Sequence, residues 1–220
     1  LSEKKNFAQQ EIAPYEDNTQ PAEPKSKKSV AYFFSLDATR RVTYLSILIA
    51  LAIVLKLFGI DLPAGKVSLF YIPCYLAGAF FGPFVGFTTG ALGDLIGFII
   101  KGGTPNAIIT LGNGLMGFIV GGAFKLFPKL KPEIRLIIGV YISMLVCTLG
   151  INTLGLAVMY GSPSFSLWQN YLAQLAFGTV PRVLFQPIVI TVNLAITTGL
   201  YFVLRKYLAK YLGFSQQKSS

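Results

Sequence analysis

The chain of 220 residues has no histidine, two cysteines and one tryptophan, and only 13% of it is charged, against about 25% in an ordinary soluble domain. Without histidine, the commonest general base and the commonest metal ligand are both missing. Cys74 and Cys147 stand far apart inside apolar runs, with no C-x-x-C spacing, so they read as small apolar filler and not as a redox pair or metal site. Acids are scarce as well: nine Asp and Glu face nineteen Lys and Arg, and only Asp94 falls within a long apolar run. Hydrolysis usually needs paired carboxylates or a nucleophile with a base, and one buried aspartate supplies neither, which disfavours an intramembrane enzyme. A phosphate-binding loop is also lacking, since "GGTPNAI" has neither the spacing nor the Lys-Ser/Thr ending. Any ATP must therefore be hydrolysed by another chain, and this one is expected to carry no cofactor and no metal.

What is abundant is apolar surface. Hydrophobic residues make up 53% of the chain and the mean hydropathy is +0.60. A helix needs roughly 20 apolar residues to cross the ~30 Å hydrocarbon core. Six runs approach that length: 42–60, 67–81, 84–100, 106–124, 134–160 and 180–204, the second being short and interrupted by Pro73. The expectation is an all-α membrane protein, a six-transmembrane-helix bundle over residues 36–212. Residues 1–35, with "NTQPAEPKSKK" inside, are polar where a signal peptide would be apolar and cannot bury enough surface to offset ordering; they read as a disordered cytoplasmic tail. Residues 213–220 read as a short cytoplasmic C-terminal tail.

The formal net charge of +10 suggests nucleic acid until its position is considered. Fifteen of the nineteen basic residues fall before the first run, around the connection of the fourth and fifth (Arg135 at the very start of the fifth), or after the sixth; Lys66 and Lys101 fall in the opposite connections, and Lys56 and Arg182 within runs. This is the positive-inside pattern, which places both termini in the cytoplasm. The partner of these charges is the lipid bilayer, not nucleic acid. Lys56, near the outer end of the first run, is expected to snorkel to the surface.

Gly112-Asn113-Gly114-Leu115-Met116-Gly117 spells the dinucleotide fingerprint G-x-G-x-x-G. That motif needs a strand before it and a tight turn, whereas here it lies inside an apolar run, where the backbone must satisfy itself within a helix. The match is accidental. Glycines in such helices instead let backbones approach through small-xxx-small spacing, as at Gly86/Gly90 and Gly117/Gly121; Ser46 and Ala50 offer the same spacing in the first run, for a neighbouring helix or for a partner.

Polar groups at bilayer depth mark sites by default. Counted at about 1.5 Å per residue from the outer ends, Arg182 lies about 3 Å down its helix, Gln186 about 9 Å, Asn113 about 11 Å, Asn152 about 12 Å and Asp94 about 15 Å. Spacing of three, four or seven groups Arg182 with Gln186, Asn106 with Thr110 and Asn113, and Thr148 with Asn152. These polar faces suit an outward-facing pocket for a small polar molecule. Arg182 has the fork geometry to grip a carboxylate, unless a salt bridge to Asp94 spends its charge. Asp94 either touches ligand or bonds nearby backbone. Asn193 lies deeper and reads as a bond to a neighbouring helix. "GIDLPAGKVSLFY", with Lys66, and "MYGSPSFSLWQNYLAQLAFGTVPR", with Tyr160, Trp168 and Tyr171, have the composition of lids. Their aromatics either stack on ligand or form the membrane-interface belt.

Over about Ala38 to Lys210, "VSLFYIPCYLAGAFFGPFVGFTTGALGDLIG", "GNGLMGFIVGG", "NTLGLAVMYG" and "PRVLFQPIV" in that order resemble the substrate-binding, or S, components of energy-coupling factor (ECF) vitamin transporters, folate and pantothenate branch. The resemblance implies capture of a water-soluble vitamin outside a bacterial cell membrane. It also implies release inside, driven by a shared ECF transmembrane coupling subunit and two ATPase subunits, with the Ser46/Ala50 face meeting the coupling subunit. Ser46 stands where the family usually has alanine. Folate-type members often carry an aromatic "GFT" stretch where this chain has "TPNAIITLGNG", which favours pantothenate, with folate next. The competing reading, a self-sufficient secondary transporter of a small organic anion, would normally show two related halves, and no internal repeat is found.

Overall fold

The computed structural model describes residues 37–62, 65–176 and 181–212; the two tails read from the sequence lie outside the described residues. The elements in order are α1 (Ala38–Leu57), β1 (Ile60–Leu62), β2 (Gly65–Val67), α2 (Tyr71–Phe81), α3 (Pro83–Ile100), α4 (Ala107–Leu126), α5 (Pro132–Ser143), a π-helical segment (Met144–Asn152), α6 (Thr153–Tyr160), α7 (Leu167–Ala176) and α8 (Arg182–Leu212). Apart from the antiparallel β1–β2 pair, in which Ile60 faces Val67 and Asp61 faces Lys66, the ordered elements are helical. Five helices are long and apolar enough to cross a membrane: Ala38–Leu57, Pro83–Ile100, Ala107–Leu126, Pro132–Tyr160 and Arg182–Tyr207.

The second expected span differs from this set. Its helix, α2, has 11 residues, about 16 Å at the ordinary rise and too short for the hydrocarbon core alone. Ten of the 11 are buried, so α2 is the hub around which the long helices pack. Ile72, Tyr75, Leu76 and Phe80 of α2 share one core with Met116 and Val120 of α4, Leu136 and Val140 of α5 and Ile190 of α8. Aliphatic side chains such as Ile47, Leu145, Leu184 and Ile188 point outward, as they do where the solvent is lipid.

Glycine sets the closeness of the central helices. A Cβ at Gly86 of α3 would sit 2.5 Å from the Gly117 carbonyl oxygen of α4, and one at Gly121 would sit 2.6 Å from the backbone nitrogen of Pro83. The small-xxx-small spacing at Gly86 and Gly117/Gly121 thus packs the chain against itself. Between α2 and α3, Gly82 takes φ 99°, a left-handed conformation that glycine alone adopts without strain and that reverses the chain in one residue. The G-x-G-x-x-G match lies wholly inside α4, as its surroundings predict.

Candidate functional site

The hairpin end of the bundle gathers the C-terminal turns of α1 and α3, the start of α4, the π segment and the start of α8. Asp94 of α3, 1% exposed, is the hub. Its Oδ1 accepts from Lys56 Nζ at 2.5 Å and from Asn113 Nδ2 at 2.6 Å, and its Oδ2 accepts from Thr110 Oγ1 at 2.7 Å. Lys56 Nζ also donates to the Asp94 main-chain carbonyl at 2.7 Å and lies 3.6 Å from the Phe98 ring centroid. A buried carboxylate and ammonium are tolerable only when paired and hydrogen-bonded, and both conditions are met here.

One expectation is thereby corrected. Lys56 does not snorkel: it is buried, because Gly97 across from it carries no side chain. A Cβ at Gly97 would lie 2.7 Å from Lys56 Cδ, so the glycine leaves a channel for the lysine stem. The cation on Asp94 is Lys56 and not Arg182.

Asn113 continues the network. Its Oδ1 accepts from Asn152 Nδ2 at 2.9 Å, linking α4 to the last residue of the π segment. Such segments are rare and cluster at functional sites; this one runs nine residues where the sequence suggested an unbroken α-helical span. The wider turn changes which groups face inward. Thr153 Oγ1 reaches back to the Thr148 carbonyl at 3.0 Å, and the Tyr171 hydroxyl of α7 donates to the Leu149 carbonyl at 2.9 Å. Arg182, half-buried at the start of α8, donates from Nε to Thr153 Oγ1 at 3.2 Å. Among the described residues no acidic side chain pairs with it. One turn along α8, Gln186 is buried and its Oε1 has no hydrogen-bond partner; the same holds for Thr148 Oγ1 and Asn152 Oδ1.

The structure therefore brings Asp94, Asn113 and Asn152 into one hydrogen-bonded set and places Arg182 on Thr153, the neighbour of Asn152. Others stand apart. Asn106 caps α4, accepting from the backbone N–H of Ile108 and Ile109 and donating to the Gly155 carbonyl at 2.9 Å; its polar atoms are spent on structure. Trp168 is 66% exposed on α7 and stacks on Tyr171 at 5.5 Å, and Tyr160 is exposed to the same degree. Lys66 lies on β2 and its side chain is outside the described ones. Asn193 donates to the carbonyl of Ser68, in the connection between β2 and α2, and to that of Val189 on its own helix, so its bond runs to a loop and not to a neighbouring helix as expected. Ser46 and Ala50 are both exposed on α1, a helix whose only buried residues are Ala52 and Lys56.

Sequence reasoning missed Lys56 and Thr153 as members of the site. A signal for Lys56 was present: a lone carboxylate at bilayer depth needs a cation, and Gly97, three residues past Asp94, leaves the room that receives one.

The family model described as "ECF transporter, substrate-specific component" matches residues 40–213. Among solved structures, FolT bound with folic acid is 26% identical, with a TM-score of 0.54, covering 74% of this chain and 95% of FolT. The S component of a bacterial ECF transporter is 19% identical, with a TM-score of 0.49, covering 80% of this chain and 99% of that one. No curated protein matches the chain by sequence.

Proposed function

Because the chain belongs to the substrate-specific components of ECF transporters, which bind substrate for transport and are not enzymes, we propose that it captures a carboxylate-bearing, water-soluble vitamin at the hairpin end of the bundle. The observation that supports this is the grouping of Arg182, Asn152, Asn113 and Gln186 there: a cation with no acidic partner among the described residues, with buried amides of which Asn152 and Gln186 have unpartnered acceptors. A guanidinium in that setting suits a carboxylate, and buried amides suit the polar body of a small ligand. Folate is the first candidate, since the similar FolT structure holds folic acid. Pantothenate is the second reading, favoured by "TPNAIITLGNG" standing in place of the aromatic stretch usual in folate-type members.

The hairpin end faces outward and both termini lie in the cytoplasm of a bacterial cell, according to the basic residues at the opposite end. Uptake requires the ECF coupling subunit and its two ATPases; no cofactor is held by this chain. Mass spectrometry of the small molecule that co-purifies from cells, followed by titration with folic acid and with pantothenate, tests the function. One of the two is expected to bind; failure of both overturns the assignment.

The docking of the coupling subunit is assigned to the outward Ser46/Ala50 face of α1. Small residues let a partner helix approach closely, and a ring there blocks it. Ala50→Trp is expected to abolish co-purification with the coupling subunit while leaving vitamin affinity unchanged. Wild-type levels of co-purified partner would refute that surface.

A further inference from the structure

No Asp, Glu, Lys or Arg occurs between Tyr160 and Arg182, the stretch that joins the ends of two membrane-crossing helices. Its helix α7 is capped from within: the Ser166 backbone N–H donates to Gln169 Oε1 at 2.9 Å and the Gln169 backbone N–H to Ser166 Oγ at 3.3 Å, a capping box. Trp168, Leu172 and Leu175, at i, i+4 and i+7, share one side of α7, and Asn170 lies roughly opposite. A helix packed on a protein core buries the apolar side. Here the reverse holds: Asn170 is the buried residue of α7, accepting from the Ser162 backbone N–H at 2.9 Å and donating to the Ser162 carbonyl at 3.0 Å, while Trp168 is 66% and Leu167 53% exposed. Phe165, just before the helix, is exposed as well.

We propose that α7 is an interfacial helix, seated by Trp168 and its apolar neighbours in the headgroup boundary of the outer leaflet, and that the surface it takes is uncharged or zwitterionic lipid. The leaflet follows from the orientation given above. Three observations select this occupant. α7 lies between two helices that cross the membrane, so the chain delivers it to the level of the boundary. Its apolar side continues the surface of those helices, where Val158 and Tyr160 of α6 and Val183 and Leu184 of α8 are exposed. With no charge on any side, α7 has nothing that rewards an anionic surface or a charged protein partner; it offers apolar area and an indole N–H, which suit a boundary that is apolar below and wet above. The helix is also fixed from behind. Tyr171 stacks on Trp168 with ring centroids 5.5 Å apart and donates its hydroxyl to the Leu149 carbonyl of the π segment, so one side chain joins the lipid-seated indole to the wall that carries Thr148 and Asn152. The connection is thus an anchor for that wall and not a cover that stacks on the vitamin.

Trp168 is the one tryptophan of the chain, so tryptophan emission reports on α7 alone. The experiment places the full chain, one molecule to a nanodisc so that a second copy is excluded, in phosphatidylcholine brominated either near the carboxyl end of the acyl chains or near their methyl end. Shallow bromine is expected to remove about half or more of the emission and deep bromine clearly less, while iodide in the water quenches weakly. Emission untouched by shallow bromine and strongly quenched by iodide puts α7 in water and overturns the proposal, and stronger quenching by deep bromine overturns the interfacial depth. Replacing part of the lipid by phosphatidylglycerol, or raising the salt, is expected to leave the quenching unchanged, because no charge takes part; a marked rise with anionic lipid overturns the uncharged surface. Trp168→Leu keeps an apolar anchor and removes the stacking ring. It is expected to hold the dissociation constant within about twofold for whichever of folic acid and pantothenate binds wild type, and a tenfold loss makes the indole a ligand contact and overturns the anchor. Failure of wild type to bind either vitamin counts against the proposed function and leaves the quenching result standing, so the two failures are distinguishable.

Discussion

Gly117→Val is expected to abolish recovery of folded protein, whereas Gly122→Ala, five residues further along the same helix, leaves yield and melting temperature at or above wild type. A Cβ at Gly117 would lie 2.5 Å from the Gly86 carbonyl carbon and 2.8 Å from its Cα. Both are backbone atoms of α3, so no rotamer change relieves the overlap and the two helices must separate. Ordinary overpacking of a core costs about 1–3 kcal/mol; a backbone collision at the crossing of α3 and α4 is expected to exceed the top of that range. Moving these helices also dislodges Asp94 and Asn113, which are bonded across the same interface. Gly122 is the internal control, since a Cβ there meets nothing within 4 Å and alanine is the better helix former by roughly 1 kcal/mol. Purification yield, size-exclusion profile and thermal unfolding of the two variants check the contrast. Comparable behaviour of both would show that the glycine crossing does not hold α3 and α4 together.

That crossing was readable in the sequence, because small-xxx-small spacing encodes a close approach that lipid rewards only through packing. The apolar runs were readable for the same reason: a long unbroken stretch has few alternatives to a helix in the bilayer. The 11-residue α2 was harder. Hydropathy measures how apolar a segment is and says nothing of what surrounds it, so a helix buried in protein looks like one buried in lipid. The π segment was invisible, since its register comes from contacts distant in sequence, among them the Tyr171 hydroxyl on the Leu149 carbonyl.

Within the site, residue type was a better guide than depth. Asn113, Asn152 and Asp94 were found because amides and acids in an apolar run must have partners, and they turned out to be partners of one another. Depth alone misplaced Lys56, which lies near the end of α1 and yet turns inward where Gly97 leaves room. Asn106 was grouped with the polar face by its spacing, although asparagine before a helical run is first of all an N-cap, and that is how it is used.

Arg182→Ala is expected to weaken binding of the vitamin by tenfold or more without loss of the fold. A hydrogen bond to a charged group contributes about 1.5–3 kcal/mol, and about 1.4 kcal/mol corresponds to a factor of ten, so even one strong contact with a carboxylate reaches that size. The alternative is that Arg182 serves only to tie α8 to Thr153, to which its Nε donates at 3.2 Å. Thr153→Val separates the two, because it removes that tie and keeps the guanidinium. If Arg182 grips ligand, Thr153→Val costs clearly less affinity than Arg182→Ala, and Arg182→Lys falls between them, preserving charge while losing the paired donors. If Arg182 is only a tie, Thr153→Val reproduces the whole loss. Isothermal titration of the three variants with folic acid and pantothenate supplies the comparison, and an unchanged dissociation constant for Arg182→Ala removes the carboxylate clamp altogether. Since Lys56 already neutralises Asp94, a ligand carboxylate at Arg182 would meet a cation whose charge no acid among the described residues has claimed.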